Sequence, residues 1–432
     1  MTHWAGNAAV LPANPAMADL RQGLTYGALG LPLAFVALPL YVVLPNHYAS
    51  VLGVPLASLG ALLLGARLLD AFADPWIGRQ VDGWFAHSTR RVLVFATIAA
   101  VILALGFRAL FFPPLHEPQA LLVWCAALLT VTYLSYSVLS VIHQAWGARL
   151  GGDATQRTRI VAWREGLSLA GVLLASVLPS LAGLGATATV FAAALALGVL
   201  MLASAPRGSV ATVVPQAASA HLPLANPAFR RLLLVFLVNG VASALPATLV
   251  LFFVRDRLQL PSYEPLFLLS YFAAGALSMP LWVRGVARFG LARCWLAGML
   301  LAITAFIWAA TLGAGDLASY TAICVASGLA LGADLALPGA LLAGVIQRAG
   351  HSAGAEGAYF GWWNSAVKLN LALAAGLALP LLGAFGYAPG ARDSGVLQAL
   401  ALAYGLLPCL LKLLAAALLY GIWMRSPYGE ST

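Results

Sequence analysis

The chain is a long, very apolar polypeptide with a basic charge balance. It has 432 residues, 62% of them hydrophobic and 9% charged, and a formal net charge of +9. Soluble domains carry about 25% charged residues, so this composition excludes a soluble protein and indicates an integral membrane protein. The apolar runs are continuous, which excludes a β-barrel, whose strands alternate polar and apolar side chains. The positive charge fits loops at the cytoplasmic surface, and we expect no nucleic-acid partner.

Apolar runs of about 20 residues each predict twelve transmembrane helices. In chain order they cover residues 23–45, 56–80, 92–112, 120–145, 161–183, 186–205, 231–254, 266–284, 294–313, 319–346, 358–385 and 398–424. A stretch rich in Ala, Pro, Ser and Val separates the sixth run from the seventh. We therefore predict a six-helix half at 1–205, a cytoplasmic linker at 206–230 and a second six-helix half at 231–432.

Arginine residues are distributed unevenly between the two sets of predicted loops. If both termini are cytoplasmic, the outer loops hold only Arg255, Arg257 and Arg392, and most other arginines fall in inner loops. This is the asymmetry of the positive-inside rule. It predicts a multi-pass protein of the cell (inner) membrane with both termini in the cytoplasm.

Three charged residues interrupt the second apolar run. Arg67, Asp70 and Asp74 are spaced by three and four, so their side chains project from one face of a helix. Charges at this depth are costly unless they are paired or hydrated. Two adjacent carboxylates suit the capture of a small cation, either sodium or a proton held on one carboxyl group. The alternative is a structural ion network that locks helices together.

Basic loops follow the second and the eighth predicted helices. The first covers Gly78–Arg91, and the second, Arg284–Arg293, is a weaker copy at the matching place in the other half. With the two six-helix halves, these loops are typical of the major facilitator architecture. Ion pairs formed by Asp82 with Arg90 and Arg91, grouped with Arg67, would then act as a conformational latch. A solvated loop is the alternative.

Four ordered blocks of residues resemble one transporter family. They contain Tyr26-Gly27, the segment from Ala66 to Gly78, the segment from Arg157 to Glu165, and the segments from Gly332 to Pro338 and from Glu356 to Lys368. The chain resembles the glycoside–pentoside–hexuronide:cation symporters (melibiose permease-like) of the major facilitator superfamily. The resemblance implies an all-α integral membrane fold with twelve helices in two halves.

The same resemblance implies roles for individual residues. It places the coupling cation, sodium or a proton, at Asp70 and Asp74, and it places Trp146, Arg164 and Lys368 at the substrate. Such symporters use no ATP, and the chain has no Gly-x-x-x-x-Gly-Lys-Ser/Thr phosphate loop. We therefore expect no cofactor beyond the coupling ion and no metal beyond a sodium ion at the two aspartates.

The two lysines of the chain both fall inside predicted helices. Lys368 lies too deep to reach the membrane surface easily, so Asp70, Asp74 or Asp334 should be its partner. Lys412 lies in the twelfth helix, which is peripheral in this architecture, and we assign it no site role. Asp334 precedes Pro338 by four residues, at a point where a broken helix can bind solutes. A substrate-binding role and a structural ion pair are both open for Asp334.

Neighbouring positions in the fourth and fifth helices carry further polar residues. Because Arg164 and Glu165 are adjacent, we expect Arg164 to face the cavity and Glu165 to pair with Arg157 or Arg159. His143 and Gln144 precede Trp146 and are candidate hydrogen-bonding partners for a substrate; simple hydration is the alternative for His143.

Departures from the family pattern concern the substrate. Sugar-binding members carry an aspartate in the first helix, where this chain reads Gly30-Leu31-Pro32, and a second carboxylate in the fourth helix, where it reads Ile142. Two acids at the inner end of helix ten are replaced by Gly344 and Gln347. Two substrates stay open: a glycoside or related sugar, or a lysophospholipid or other amphipathic lipid. A lipid would place its acyl chain against the apolar replacements and its headgroup at Arg164 or Lys368.

Other functional classes lack their signatures. The seven histidines lie mostly in loops or at span ends, and neither His-Glu-x-x-His nor Cys-x-x-Cys occurs. Cys125, Cys294, Cys324 and Cys409 lie in apolar runs and are interpreted as packing residues. We therefore expect no enzyme and no receptor, but a monomeric transporter whose partners are the bilayer and a small-molecule or lipid substrate.

Overall fold

The computed structural model describes residues 20–208, 221–352, 354–387 and 390–426. Twelve long helices account for most of these residues. They are α1 (Leu20–Ala49), α2 (Leu56–His87), α3 (Thr89–Phe111), α4 (Pro118–Arg149), α5 (Ala154–Pro179), α6 (Leu181–Ala203), α7 (Pro227–Arg257), α8 (Pro261–Phe289), α9 (Leu291–Thr311), α10 (Leu317–Arg348), α11 (Glu356–Ala384) and α12 (Ser394–Met424).

The helices have the length that a bilayer requires. They contain between 21 and 32 residues, and at 1.5 Å per residue even the shortest spans the hydrocarbon core of about 30 Å. Within the described residues, eleven are apolar enough to be membrane spans by composition alone. The twelfth is α2, which is less apolar because it carries the charged residues that the sequence singled out. The twelve predicted runs are therefore confirmed as helices.

One predicted boundary is wrong. The sequence placed Asp82 in a loop after residue 80, but α2 continues to His87. Residues 81–87 contain no proline to end the helix. The break comes at Ser88, whose hydroxyl accepts a hydrogen bond from the Arg91 backbone N–H and so caps α3. Asp82 is consequently held on a rigid helix.

A bend separates α5 from α6. Together they would form one helical segment of 50 residues, which is too long to cross a bilayer once. Gly183 interrupts that segment with φ 79° and ψ 169°, a conformation that favours glycine. At the other end, Asp153 and Gln156 form a capping box at the start of α5.

The contacts within the chain divide it into two compact units. The first contains Met1–Asn226 and Ala340–Asn364, and the second contains Pro227–Gly339 and Ser365–Thr432. The last turns of α10 and the first turns of α11 thus belong to the first unit. The two halves predicted around the linker are a different division of the sequence, and that division stays a prediction.

In the first unit, α1 packs against α5 and α6, and α4 packs against α2 and α3. Gly171 of α5 lies against the backbone carbonyl of Leu31 in α1, where any side chain would collide. Small residues of this kind let membrane helices approach to backbone contact. Phe35 stacks on Phe191 with ring centroids 5.8 Å apart, and Phe107 contacts the same ring at 4.7 Å.

In the second unit, α12 packs against α7 and α9. Phe253 of α7 stacks on Tyr404 of α12 with ring centroids 4.1 Å apart. The hydroxyl groups of Tyr404 and Tyr320 are 2.6 Å apart and share a hydrogen bond. This aromatic group anchors α12 in the interior of its unit.

Candidate functional site

The two aspartates of α2 form the centre of the candidate site. Asp70 is 3% exposed and Asp74 is fully buried. Ser137 of α4 donates a hydrogen bond of 2.7 Å from its hydroxyl to Oδ1 of Asp70. Two carboxylates one helical turn apart, with a hydroxyl oxygen from a neighbouring helix, make a buried group of oxygen atoms with negative charge. Such a group favours binding of a cation or a proton.

Arg67, the third charged residue of this motif, contacts an aromatic ring. Its guanidinium carbon lies 4.3 Å from the ring centroid of Tyr41 in α1, a cation–π geometry. Its Nε atom is buried without a hydrogen-bond partner among the residues that the structure describes. The structure therefore places Arg67 beside the aspartate pair; its role in the predicted latch stays a prediction.

On α5, Arg164 and Glu165 bind each other. Nη2 and Nε of Arg164 donate hydrogen bonds of 2.7 Å and 2.9 Å to Oε1 of Glu165. The expectation that Glu165 would pair with Arg157 or Arg159 was wrong. Adjacent residues leave a helix about 100° apart, but both side chains are long enough to fold back and meet.

His143 and Tyr26 tie α4 to α1. The His143 Nε2 atom lies 2.8 Å from the carbonyl oxygen of Tyr26, and the Tyr26 hydroxyl donates to the carbonyl of His143 at 3.1 Å. These two reciprocal bonds indicate a structural role for the histidine. Arg164 lies beside the same tyrosine hydroxyl.

A small polar group lies further along the same helix. Gln144 donates to the Ser140 hydroxyl at 3.1 Å, and the Asn364 side chain, from α11, donates to it at 3.4 Å. Like the histidine, Gln144 was a candidate for contact with a substrate. Its amide is one of two groups that converge on a serine within the first unit, and contact of Gln144 with a substrate stays a prediction.

Two further residues are implied by the family resemblance. Trp146 is 2% exposed, and its indole N–H donates to the carbonyl of Pro206 at 2.8 Å. Phe85 packs edge-on against the same indole at 6.0 Å. Lys368 is half-buried on α11. Substrate binding by either residue stays a prediction.

A second charged group of the first unit lies where the last turn of α4 meets the first turn of α11. Arg149 of α4 lies 3.0 Å from a carboxylate oxygen of Glu356 and 3.7 Å from one of Asp82. Asp82 also accepts hydrogen bonds from the backbone N–H groups of Gly357 and Ala358, at 2.7 Å and 2.8 Å. These are the first N–H groups of α11, where the helix dipole attracts an anion. We call these five residues the inner gate.

The inner gate corrects the partners expected for Asp82. Arg90 and Arg91 are both exposed on the first turn of α3. Arg91 lies 5.9 Å from the ring of Phe95. The helix break at Ser88 turns these two arginines away, so the ion pair of Asp82 is with Arg149. Sequence reasoning did not assign Arg149 or Glu356 to this ion pair, because each is a single charge at a helix end whose partners are distant in sequence.

Glycines bring α2 and α11 into backbone contact at the inner gate. A Cβ atom at Gly78 would overlap the carbonyl oxygen of Gly357, and one at Gly361 would overlap that of Asp74. The backbone of Asp74 thus touches α11 directly. No residue larger than glycine fits at these crossings without moving the helices apart.

The second unit contains a separate buried charge cluster. Lys412 of α12 lies 2.6 Å from Oδ2 of Asp334 in α10, and it also donates to Asn239 at 2.9 Å and to Ser243 at 3.0 Å. Oδ1 of Asp334 accepts from Trp295 at 3.0 Å and from Asn239 at 3.2 Å. Four helices, α7, α9, α10 and α12, meet at this ion pair.

Sequence reasoning missed the contribution of Lys412. Its expected peripheral position suggested no role, yet its side chain is 9% exposed. The signal was present, because a lysine deep in an apolar run needs a carboxylate partner. Asp334 was considered for Lys368 and is instead paired with Lys412. Its binding of substrate stays a prediction.

The comparison with known families decides the identity of this helical architecture. The family described as "MFS/sugar transport protein" matches residues 24–423. The chain belongs to this family. Members are membrane transporters, so the protein is a multi-pass cell-membrane transporter and not an enzyme. The cytoplasmic placement of both termini stays a prediction.

Two curated relatives confirm the resemblance to glycoside–pentoside–hexuronide symporters. "Inner membrane symporter YicJ" of Escherichia coli is 28% identical over 134 residues, which cover 30% of this chain and 28% of the relative. "Uncharacterized symporter YjmB" of Bacillus subtilis is 23% identical over 160 residues, 37% of this chain and 35% of the relative. The matched segments therefore span only about a third of these relatives.

Solved structures confirm the major facilitator fold. A bacterial homologue of the iron transporter ferroportin, in an outward-facing state, aligns with a TM-score of 0.69 at 15% identity, covering 93% of this chain and 98% of that one. The Escherichia coli fucose:proton symporter FucP aligns with a TM-score of 0.63 at 13% identity, covering 94% and 97%. At such low identity, the likeness concerns the fold alone.

Proposed function

We propose that the protein is a cation-coupled symporter that moves a solute by alternating access. The observation that carries this proposal is the buried aspartate pair of α2, Asp70 and Asp74, with the Ser137 hydroxyl bonded to it. Two neighbouring carboxylates repel each other in a medium of low dielectric constant. Sodium or a proton relieves that repulsion, so the pair binds a cation without any cofactor.

The inner gate provides the conformational part of the proposal. The same helix, α2, carries the aspartate pair and, two turns further on, Asp82. Opening towards the cytoplasm breaks the contacts of Asp82 and Arg149 with the start of α11. Because Asp74 also touches Gly361 of α11 through its backbone, a small movement of α2 on cation binding is transmitted to the gate. This supports coupling between the cation and the gate through one rigid helix.

For the solute, the described contacts favour a polar molecule such as a glycoside or related sugar. Ion-paired and amide side chains lie along α4 and α5, and they offer donors and acceptors to hydroxyl groups. The apolar replacements that suggested an acyl chain are packing residues: Ile142 is fully buried, Pro32 is buried, and the backbone of Leu31 contacts Gly171. They offer little surface to a lipid.

Two experiments test this proposal. In proteoliposomes, uptake of labelled methyl glycosides should exceed equilibrium only when a sodium or proton gradient is imposed. In detergent, the same glycosides should raise the melting temperature of the purified protein. Stabilisation by lysophosphatidylcholine but by no sugar would transfer the proposal to the lipid class. Equal uptake with and without both gradients would refute cation coupling.

A further inference from the structure

The ion pair of α5 is electrically neutral, and the proposed function does not depend on that neutrality. Arg164 is 11% exposed and Glu165 is 20% exposed, so both side chains are largely withdrawn from solvent. Both hydrogen bonds from the guanidinium end on Oε1 of Glu165. Oε2 of the carboxylate takes no part in this ion pair. The pair is electrically neutral as a unit and still presents donor and acceptor atoms.

The groups around Arg164 leave Glu165 as its counter-charge. The neighbouring titratable side chains are the Tyr26 hydroxyl on α1 and the His143 imidazole on α4. The histidine is occupied by the Tyr26 carbonyl, and the tyrosine hydroxyl donates to the backbone of α4. Neither supplies a negative charge at neutral pH. Among the described residues, Glu165 is the carboxylate that bonds this arginine.

This arrangement discriminates between solutes by their charge. An anionic solute that bound Arg164 would displace Glu165. The partly buried carboxylate of Glu165 would then have lost its arginine, which is strongly unfavourable. A cationic solute that took Glu165 would do the same to Arg164. An uncharged solute with hydroxyl groups accepts from the guanidinium and donates to the carboxylate while the pair stays together. The pair therefore selects against a net charge on the solute.

We propose that Glu165 is a specificity-determining residue that neutralises Arg164 and restricts the carrier to uncharged, hydroxyl-bearing solutes. The proposal rests on the proposed function only in taking the solute to bind in the first unit. It assigns to Glu165 a role that differs from that of the aspartate pair, which binds the cation. It also predicts that exchanging this one carboxylate changes the class of solute.

The experiment measures binding to the purified protein without any ion gradient, using three probes that share one ring. These are methyl β-D-glucopyranoside, sodium D-glucuronate and D-glucosamine hydrochloride, each at matched ionic strength. A charge-assisted hydrogen bond gained without a competing carboxylate corresponds to roughly tenfold in affinity or more. Glu165→Gln should therefore bind D-glucuronate about tenfold more tightly than the natural protein does. Glu165→Asp, which keeps the negative charge beside Arg164, should not gain affinity for D-glucuronate.

A second variant, with the arginine exchanged, tests the proposal independently if Glu165→Gln does not fold. Arg164→Gln leaves Glu165 without its arginine, so this variant should gain about tenfold in affinity for D-glucosamine. The double variant, which has neither charge, should gain for neither charged probe. Tight D-glucuronate binding by the natural protein would overturn the proposal, as would the absence of both gains in folded variants. The binding assay uses no ion gradient, so these preferences among the three probes do not depend on cation coupling. A failure of cation coupling would appear only in the uptake experiment described above.

Discussion

Two of the buried charge clusters among the described residues differ in how their charges are arranged. In the second unit, Asp334 and Lys412 have opposite charges, and three further side chains complete their hydrogen bonds. In the first unit, Asp70 and Asp74 have the same charge and lie one turn apart on one helix. The arrangement of Asp334 and Lys412 is neutral, and its hydrogen bonds are made within the protein. Two adjacent carboxylates gain from a cation or a proton, which lowers their mutual repulsion.

We expect this difference to separate a structural cluster from a cation-binding one. A closed ion pair holds four helices of the second unit together, and its protons and lone pairs are engaged within the protein. A like-charge pair changes its energy whenever a cation enters or leaves. Buried charge alone therefore does not identify a transport site.

The largest effect should come from removing one partner of the closed pair. Lys412→Met leaves Asp334 buried without its ammonium group, and breaking a buried pair costs about 3–5 kcal/mol. We expect a large fall in melting temperature and a poor yield of folded protein. Scanning fluorimetry on purified protein measures this. Asp334→Asn/Lys412→Met removes both charges and should recover most of the loss, whereas a double variant as unstable as Lys412→Met would contradict the structural role.

A smaller effect is expected at the inner gate. Gly357→Ala places a methyl group against the Gly78 carbonyl and the Asp82 carboxylate, and overpacking of this kind costs about 1–3 kcal/mol. The closed gate should be less populated, so a cysteine at Ala148 should react with maleimide about tenfold faster. Gly83→Ala is the control, since nothing lies within 4 Å of its added carbon. Equal labelling of both variants would contradict the gate.

The serine beside the aspartate pair should have a moderate effect. Ser137→Ala removes the hydrogen bond to Asp70, and a bond to a charged group contributes about 1.5–3 kcal/mol. We expect the concentration of sodium, or of protons, that gives half-maximal uptake of the solute to change by about tenfold. Ser176→Ala, an exposed serine on α5, should leave it unchanged. Matching cation dependence in the two variants would exclude Ser137 from the site.

The smallest effect concerns pH. Burial lowers the pKa of His351, which lies between α10 and α11 with its Nδ1 atom 2.9 Å from the Tyr359 hydroxyl. The unfolded chain therefore binds more protons than the folded protein below about pH 6.5, so stability falls as the pH drops through that range. His351→Gln should lose less stability than the natural protein between about pH 7.5 and about pH 5.5. His116→Gln, at an exposed position, should show the natural decline, and a decline of the same size in His351→Gln would contradict the assignment.

Much of the fold was predictable, because a bilayer imposes long apolar helices that the sequence displays directly. The aspartate pair of α2 was predictable for the same reason, since charges stand out in an apolar run. The partners of Asp82 were not, because Arg149 and Glu356 are 67 and 274 residues away from it in sequence. The pairing of Lys412 with Asp334 likewise depends on how α10 and α12 pack, which the apolar pattern does not specify.

The central claim is that the aspartate pair of α2 binds the coupling cation and the Asp334–Lys412 pair does not. The most direct test is the change in melting temperature of purified protein when sodium chloride replaces choline chloride, and when the pH is lowered in choline chloride. We predict that Asp334→Asn/Lys412→Met responds like the natural protein, while Asp70→Asn/Asp74→Asn is folded and loses the response. An unchanged response in Asp70→Asn/Asp74→Asn, or its loss only in the other double variant, would contradict the claim.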